Sequence, residues 1–241
     1  MKEETFTIEI AGTPVHVTAP EAGLAGFCRE FLTDREPVCS VAVTEADIAE
    51  EKALASGGAY VSGRRDLVST ALFRRLTEEL ADRDALLIHG SAFAFRGEGV
   101  IVCAPSGTGK STHVRFWREL FPDEVCMIND DKPFIRFGEE GPILCSSPWR
   151  GKHRLGTKAE APLRHICFLT RSLTGSAVPL PASSVLPRLL SSVYRPESSG
   201  RLLRVLGLTD RLQRSCRFWE LFCPYSPSAA RTARQALFPE D

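Results

Sequence analysis

Ala104-Pro105-Ser106-Gly107-Thr108-Gly109-Lys110-Ser111-Thr112 is the stretch that decides how this chain folds. An apolar run, Val100-Ile101-Val102-Cys103, leads into it, and a helix from Ser111 to Leu120 is expected to lead out. The pattern of Gly or Ala, four residues, then Gly-Lys-Ser reads as a phosphate-binding loop of the Walker A kind. Gly107 and Gly109 can take backbone angles that a Cβ forbids. The loop can then turn its N–H groups onto a polyphosphate, with the positive end of the helix behind them. Lys110 would neutralise the outer phosphates, and the Ser111 hydroxyl would bind Mg²⁺. Ala104 stands where the first Gly of the motif usually sits, which the looser form tolerates. The plainer alternative is a glycine-rich strand-to-helix turn that binds nothing.

Upstream, residues 86–95 read as one long strand carrying His89-Gly90-Ser91, and Arg96-Gly97-Glu98-Gly99 as a tight turn. The loop is therefore expected to be fed by an antiparallel hairpin rather than by the first strand of a parallel unit. Downstream, Val125-Cys126-Met127-Ile128 is an apolar strand that ends at Asn129-Asp130-Asp131. A strand delivering carboxylates beside a phosphate loop is the Walker B arrangement. Two adjacent acids near a polyanion need a cation, so the pair supports a metal site. A turn with two exposed aspartates is the plain alternative. Residues 134–137 and 143–145 form a further hairpin. The loop Ser147-Pro148-Trp149-Arg150-Gly151-Lys152-His153-Arg154 can clamp phosphates or stack a base on Trp149, or can be solvated.

The chain has 241 residues, enough for one large domain or two small ones. Lys+Arg and Asp+Glu are both 30, and the zero formal charge argues against a nucleic-acid or anionic-membrane binder. No apolar run approaches the roughly 18 residues of a membrane span, and Met1-Lys2-Glu3-Glu4-Thr5 has no apolar signal core. The eight cysteines are scattered, without zinc spacing, and Cys103, Cys126 and Cys167 lie in apolar strands. Buried free thiols in a reducing cytoplasm are the expectation.

A front section over residues 1–64 is expected to be a small α+β unit, and residues 65–241 a nucleotide-binding domain with a helical tail. In the front section Phe6, Ile8, Ile10, Val15 and Val17 alternate about Gly12-Thr13 as a hairpin. Residues 21–33 read as a helix and 38–43 as a strand. Thr44 can cap an acidic helix whose Asp47, Glu50 and Glu51 read as a solvated face. Gly57-Gly58 and Gly63 mark a joint. Asp66 can cap an amphipathic helix over 66–83 with Leu67, Leu72, Leu76 and Leu80 inward. Beyond the site, 165–169 and 218–222 read as strands and 179–181 as a linker. Residues 183–215 read as helix broken at Pro196, and Ser226 or Ser228 can cap a final helix.

His89-Gly90-Ser91, the turn, the Ser106-Gly107-Thr108-Gly109-Lys110-Ser111 loop, its helix and Asp130-Asp131 together resemble the HPr kinase/phosphorylase catalytic domain. They are also similar to the phosphate-binding core of phosphoenolpyruvate carboxykinases. The resemblance covers roughly residues 84–145, while 148–154 and 194–196 look like segments of small bacterial HPr-kinase-like proteins. It implies an α/β fold whose mixed sheet surrounds the loop. It also implies ATP with Mg²⁺, and phosphoryl transfer to a hydroxyl, such as the serine of a small protein or peptide. It makes His89 the active-site histidine, Lys110 the loop lysine, Asp130 the base and Asp131 a metal-associated acid, with a swap of the two acids left open. The nucleotide would be held by Pro105, Ser106, Gly107, Thr108, Gly109, Lys110, Ser111 and Thr112, with Lys152 and Arg154, and the metal by Ser111 and Asp131. The family's later Arg-Gly-Leu-Gly segment has only Gly151-Lys152-His153-Arg154-Leu155-Gly156 as a counterpart.

Two other functions share the loop: a non-catalytic or regulatory ATP-binding protein, and a kinase of a small molecule such as free serine or a nucleotide. A guanylate kinase would carry the loop near its N-terminus, and a signalling GTPase would show Asn-Lys-x-Asp. A full carboxykinase would be longer. GTP or pyrophosphate in place of ATP, and a homo-oligomer, remain open from sequence.

Overall fold

A computed structural model describes residues 3–55 and 63–240. Gly57 and Gly58 lie outside the described residues. By compactness the chain divides into one unit up to Arg83 and another from Asp84.

In the first unit, β1 (Glu4–Ile10) and β2 (Thr13–Ala19) form the expected antiparallel hairpin, with Ile8 opposite Val15. Its two-residue turn uses positive φ at Ala11 and Gly12, the twist that matches a right-handed ribbon. The helix expected over 21–33 shrinks to one turn, α1 (Leu24–Phe27), followed by a 3-10 turn at Arg29–Phe31. Gly23 at φ 102° and Gly26 inside the turn disfavour a longer helix. β3 (Cys39–Ala42) pairs parallel to β2.

α2 (Glu45–Ala55) starts with a capping box. Thr44 N–H donates to Asp47 Oδ2 at 2.8 Å, and Asp47 N–H donates to Thr44 Oγ1 at 3.3 Å. α3 (Arg64–Ala81) buries Leu67, Leu72, Leu76 and Leu80 as expected. Its N-cap is Gly63, and Asp66 sits in the first turn instead. Asp47 and Glu51 are not a solvated face. Both are buried, and Arg75 Nε and Arg74 Nε reach them at 2.9 and 2.8 Å. Two successive arginines on α3 supply the charge that burial of the acids requires. α3 packs on α2, β2 and β3, so the unit boundary falls after this helix rather than at 64/65.

The second unit is a nine-stranded mixed sheet with helices against it. Its strands begin with β4 (Ala85–Leu87), β5 (Ser91–Phe95), β6 (Glu98–Cys103) and, after α4 (Lys110–Leu120), β7 (Val125–Asn129). β8 (Phe134–Gly138) and β9 (Gly141–Cys145) form the expected hairpin. β10 (Glu160–Arg171) and β11 (Ser176–Pro179) precede α5 (Ala182–Leu190) and α6 (Ser199–Ser215). β12 (Arg217–Cys223) and α7 (Ser228–Leu237) complete it. Residue 179, expected in a linker, ends β11, which pairs with β12. The final helix has Pro227 as N-cap, with no side-chain cap.

β10 joins two halves of the sheet. Its first residues pair antiparallel with β9, and its later residues run parallel to both β6 and β12. β5 pairs antiparallel with β6 and with β7. Phe93, Phe95, Val102, Cys167 and Leu221 pack with Val114 and Trp117 of α4 and Ala230 and Leu237 of α7 into one core.

The strand expected over 86–95 is broken into β4 and β5, which lie in different places in the sheet. The break falls at Gly90, whose backbone lies so close to β6 that an added Cβ would stand 2.7 Å from Ile101 Cγ2, so only glycine fits there. The amides there leave the strand ladder, with His89 N–H donating to Ser192 O and Gly90 N–H to Asp131 O. Among the described residues no helix is long and apolar enough to cross a membrane. All eight cysteines are free, but Cys126 is exposed.

Gly156 sits at φ 136°, and a Cβ there would lie 2.4 Å from the Ile128 carbonyl oxygen. Gly156→Ala should cost about 2–3 kcal/mol, read as a lowered denaturation midpoint. A midpoint equal to the wild type would contradict this packing.

Candidate functional site

Strand direction gathers the site. β6 and β7 point the same way because each is antiparallel to β5 between them. β10 and β12 run parallel to β6. The ends of β12, β10, β6 and β7 and the start of β5 therefore share one edge. From that edge emerge residues 104–109, His89, Asp130 and Asp131, and the segments after Arg171 and Cys223. They surround a cavity of about 1040 Å³.

Residues 104–109 turn between β6 and α4 with Gly107 at φ 76° and Gly109 at φ 114°. A Cβ at either would meet nothing within 4 Å, so φ alone calls for glycine there. Thr108 N–H donates to Pro105 O, and His113 N–H to Gly109 O. The earlier amides of α4 are the unpaired donors of a helix start. Arg171, at the end of β10, donates from Nε to Thr108 O at 2.9 Å and from Nη2 to Gly107 O. These bonds tie two loop carbonyls to the end of β10. No sequence motif announced Arg171.

Beneath the loop, buried His113 accepts from Trp117 Nε1 at 3.0 Å through Nε2. Its Nδ1 faces Cys223 Sγ at 3.5 Å. Burial pulls the His113 pKa down to about 4 and pushes the Cys223 thiol up to about 12, so both are neutral near pH 7.

At the acid end, His89 links the loop to the acid pair. Lys110 Nζ lies 2.9 Å from His89 Nε2, and His89 Nδ1 lies 3.0 Å from Asp131 Oδ1. An ammonium only donates, so with Lys110 charged Nε2 accepts, while Nδ1 faces both Asp131 Oδ1 and, at 3.4 Å, Lys132 Nζ. Lys132 Nζ stands 3.8 Å from Asp131 Oδ2. Burial raises the Asp131 carboxyl, but the His89 hydrogen bond and the charges of Lys132 and Lys110 outweigh it and hold it below the ordinary range. Burial also lowers the Lys110 ammonium, and the Asp131 charge offsets only part of that.

Asp130 is only 9% exposed, and its Oδ1 accepts from Gly151 N–H at 2.7 Å. Its Oδ2 has no hydrogen-bond partner among the described residues. Asn129, fully buried, holds the acid turn in place. Its Oδ1 accepts from Asp131 N–H at 2.8 Å and Lys132 N–H at 2.7 Å. Its Nδ2 donates to Ser147 O and Trp149 O at 3.1 and 3.2 Å. One amide thus ties the Asp130-Asp131 turn to the 147–151 loop. An Asn before two acids is a turn signal that pointed this way.

Of the residues selected from sequence, His89, Pro105, Ser106, Gly107, Thr108, Gly109, Lys110, Ser111, Thr112, Asp130, Asp131 and Lys152 all line the cavity. Arg154 does not: it is exposed, in a turn closed by its N–H to Gly151 O, with φ 49°. Trp149 and Arg195 also lie off the cavity lining, whereas His153 lies on it. Sequence reasoning missed Arg171, Leu173 and Tyr225, which line it as well. Among the described residues no group of three or more His, Cys, Asp or Glu is placed to hold a metal alone. Ser111 and the two aspartates are a hard oxygen set of the kind that holds Mg²⁺ jointly with a ligand's phosphates.

No protein-family model matches the chain, and no curated protein matches it. Among solved structures it has a distant likeness to the Hpr(Ser) kinase/phosphatase from Coxiella burnetii, at 10% identity and a TM-score of 0.31. That likeness covers 53% of this chain and 92% of that one.

The His89–Asp131 bond has a pH signature. Asp131 has a lowered folded pKa, so it contributes stability above the unfolded value of about 3.9 and loses it as pH falls further. Below about pH 4 the wild type should therefore lose stability more steeply than Asp131→Asn, measured by denaturation at stepped pH. Equal slopes would contradict the pair.

Proposed function

We propose that this chain binds a nucleoside triphosphate on residues 105–112 and transfers its γ-phosphoryl group to a hydroxyl. The acceptor class we favour is the serine of a small protein or peptide. One observation carries the reading: Lys110, His89 and the acid pair meet beside a glycine-cornered loop, at the one sheet edge where β6 and β7 both end. The resemblance of these same residues to the HPr kinase/phosphorylase domain points the same way.

The loop amides and Lys110 would hold the β- and γ-phosphates. Lys110 now leans on His89, and bound phosphate would compete for its charge. Ser111 and Asp131 would hold Mg²⁺, which when bound draws charge from the transferring group. Asp131 is poorly suited to take up a proton, because His89 and Lys132 stabilise its charged form. Asp130 is the better candidate to accept the acceptor's proton, since Oδ2 is uncommitted. Lys152 and His153, which are exposed and line the cavity, would meet an incoming acceptor or the terminal phosphate. Most of the rate would come from positioning and charge neutralisation rather than covalent chemistry.

Lys110→Ala should weaken ATP binding about 10- to 100-fold. Asp130→Asn should keep ATP affinity within about threefold while slowing transfer about 10²- to 10⁴-fold. Labelled γ-phosphate is followed into seryl peptides, free serine and water. Label in peptide supports the reading, label in free serine marks a small-molecule kinase, and label in water alone marks a nucleotide-binding protein without transfer. Normal transfer by Asp130→Asn would overturn the base assignment.

A further inference from the structure

The cavity has a second end that phosphate chemistry does not use. Strand order places it. In the run β12–β10–β6–β5–β7, the phosphate-loop candidate leaves the central strand β6. His89 and the acid pair lie on the β5 and β7 side. On the β10 and β12 side the chain emerges as Leu173, after Arg171, and as Pro224 and Tyr225, after Cys223.

Leu173 and Tyr225 are 98% and 82% exposed, the highest values for large hydrophobic side chains among the described residues. Both line this cavity. Exposed apolar groups gathered at a cleft mark a binding surface, whereas scattered ones need no explanation. The Tyr225 ring meets Phe116 edge to face, with centroids 6.1 Å apart and planes at 73°. Phe116 is buried on α4, the helix that begins at Lys110, so it steadies the tyrosine from the loop's own helix.

We infer that Leu173, Pro224, Tyr225 and the edge of Phe116 form the seat of a nucleobase whose phosphates lie on residues 105–112, an inference that rests on the reading above. The occupant follows from continuity. One ligand must present anionic charge to the loop and a flat apolar group to the rim on the side away from the acids. A nucleotide does both, and pyrophosphate or tripolyphosphate does only the first. Stacking on an aromatic face is tolerant of base identity, so the rim distinguishes a nucleotide from a bare polyphosphate.

The test is calorimetry of ATP and of inorganic tripolyphosphate, each with Mg²⁺. The proteins are the wild type, Tyr225→Phe, Tyr225→Ala and the pair Leu173→Ser with Tyr225→Ala. The wild type should bind ATP about tenfold or more tighter than tripolyphosphate, and Tyr225→Ala should weaken ATP at least about fivefold. Tripolyphosphate affinity should stay within about twofold in every variant, and Tyr225→Phe should retain ATP affinity. The substituted side chains are exposed, so folding is not at stake. If tripolyphosphate binds and ATP gains nothing from the rim, or if both ligands weaken equally in the variants, the base seat is overturned while the loop reading stands. If the wild type binds neither ligand, the loop reading itself fails and the base seat fails with it.

Discussion

The hydrogen-bond ladder between β5 and its two antiparallel neighbours, β6 and β7, is the constraint on which the rest of the site depends. Because β5 runs against both, β6 and β7 finish on the same edge. The glycine loop and the acid pair, separated in the chain by a helix and a strand, are thereby brought to face each other. Parallel pairing of β10 with β6, and of β12 with β10, brings two more chain exits to that edge. Open sheets of this kind collect ligands outside the carboxyl ends of their strands. Here the edge is extended by the start of β5, which contributes His89 one residue before the Gly90 bend.

Buried bonds hold the acid turn at this edge, alongside the partly exposed contacts of His89, Lys132 and Arg171. Asn129 satisfies two amides of the acid turn and two carbonyls of the following loop. Ser91 Oγ donates to Asp130 O at 3.0 Å, and Ser147 Oγ to Lys132 O at 2.7 Å. Losing one such partner leaves a buried group unsatisfied, which costs about 1–3 kcal/mol. The acid pair is therefore fixed before any ligand arrives. On the opposite flank Arg171 does for the loop what Asn129 does for the acids, by engaging its carbonyls. Rigid donors and acceptors placed in advance are what phosphoryl chemistry asks of a protein.

Local signals in the sequence were legible, and tertiary ones were not. The hairpin turn at Arg96-Gly97, the glycines of the loop, the helix after it and the acids after β7 all announce themselves by spacing or residue type. The break at His89-Gly90 did not, since the amides there bond to Ser192 O and Asp131 O, both far along the chain. Asp47 and Glu51 looked like a wet helix face because the arginines that bury them lie on the next helix. Arg154 carries the right charge near the right loop, but its turn leaves it off the cavity lining. Arg171 and Tyr225 have no motif around them, and only strand order brings them to the cavity.

Soaking crystals of the protein with a non-hydrolysable ATP analogue and Mg²⁺ is the measurement that bears most directly on this account. It predicts the phosphates within hydrogen-bond distance of the amides of residues 107–111, with the metal between Ser111 and Asp131. Density for the analogue elsewhere, or phosphates turned away from Lys110, would contradict it.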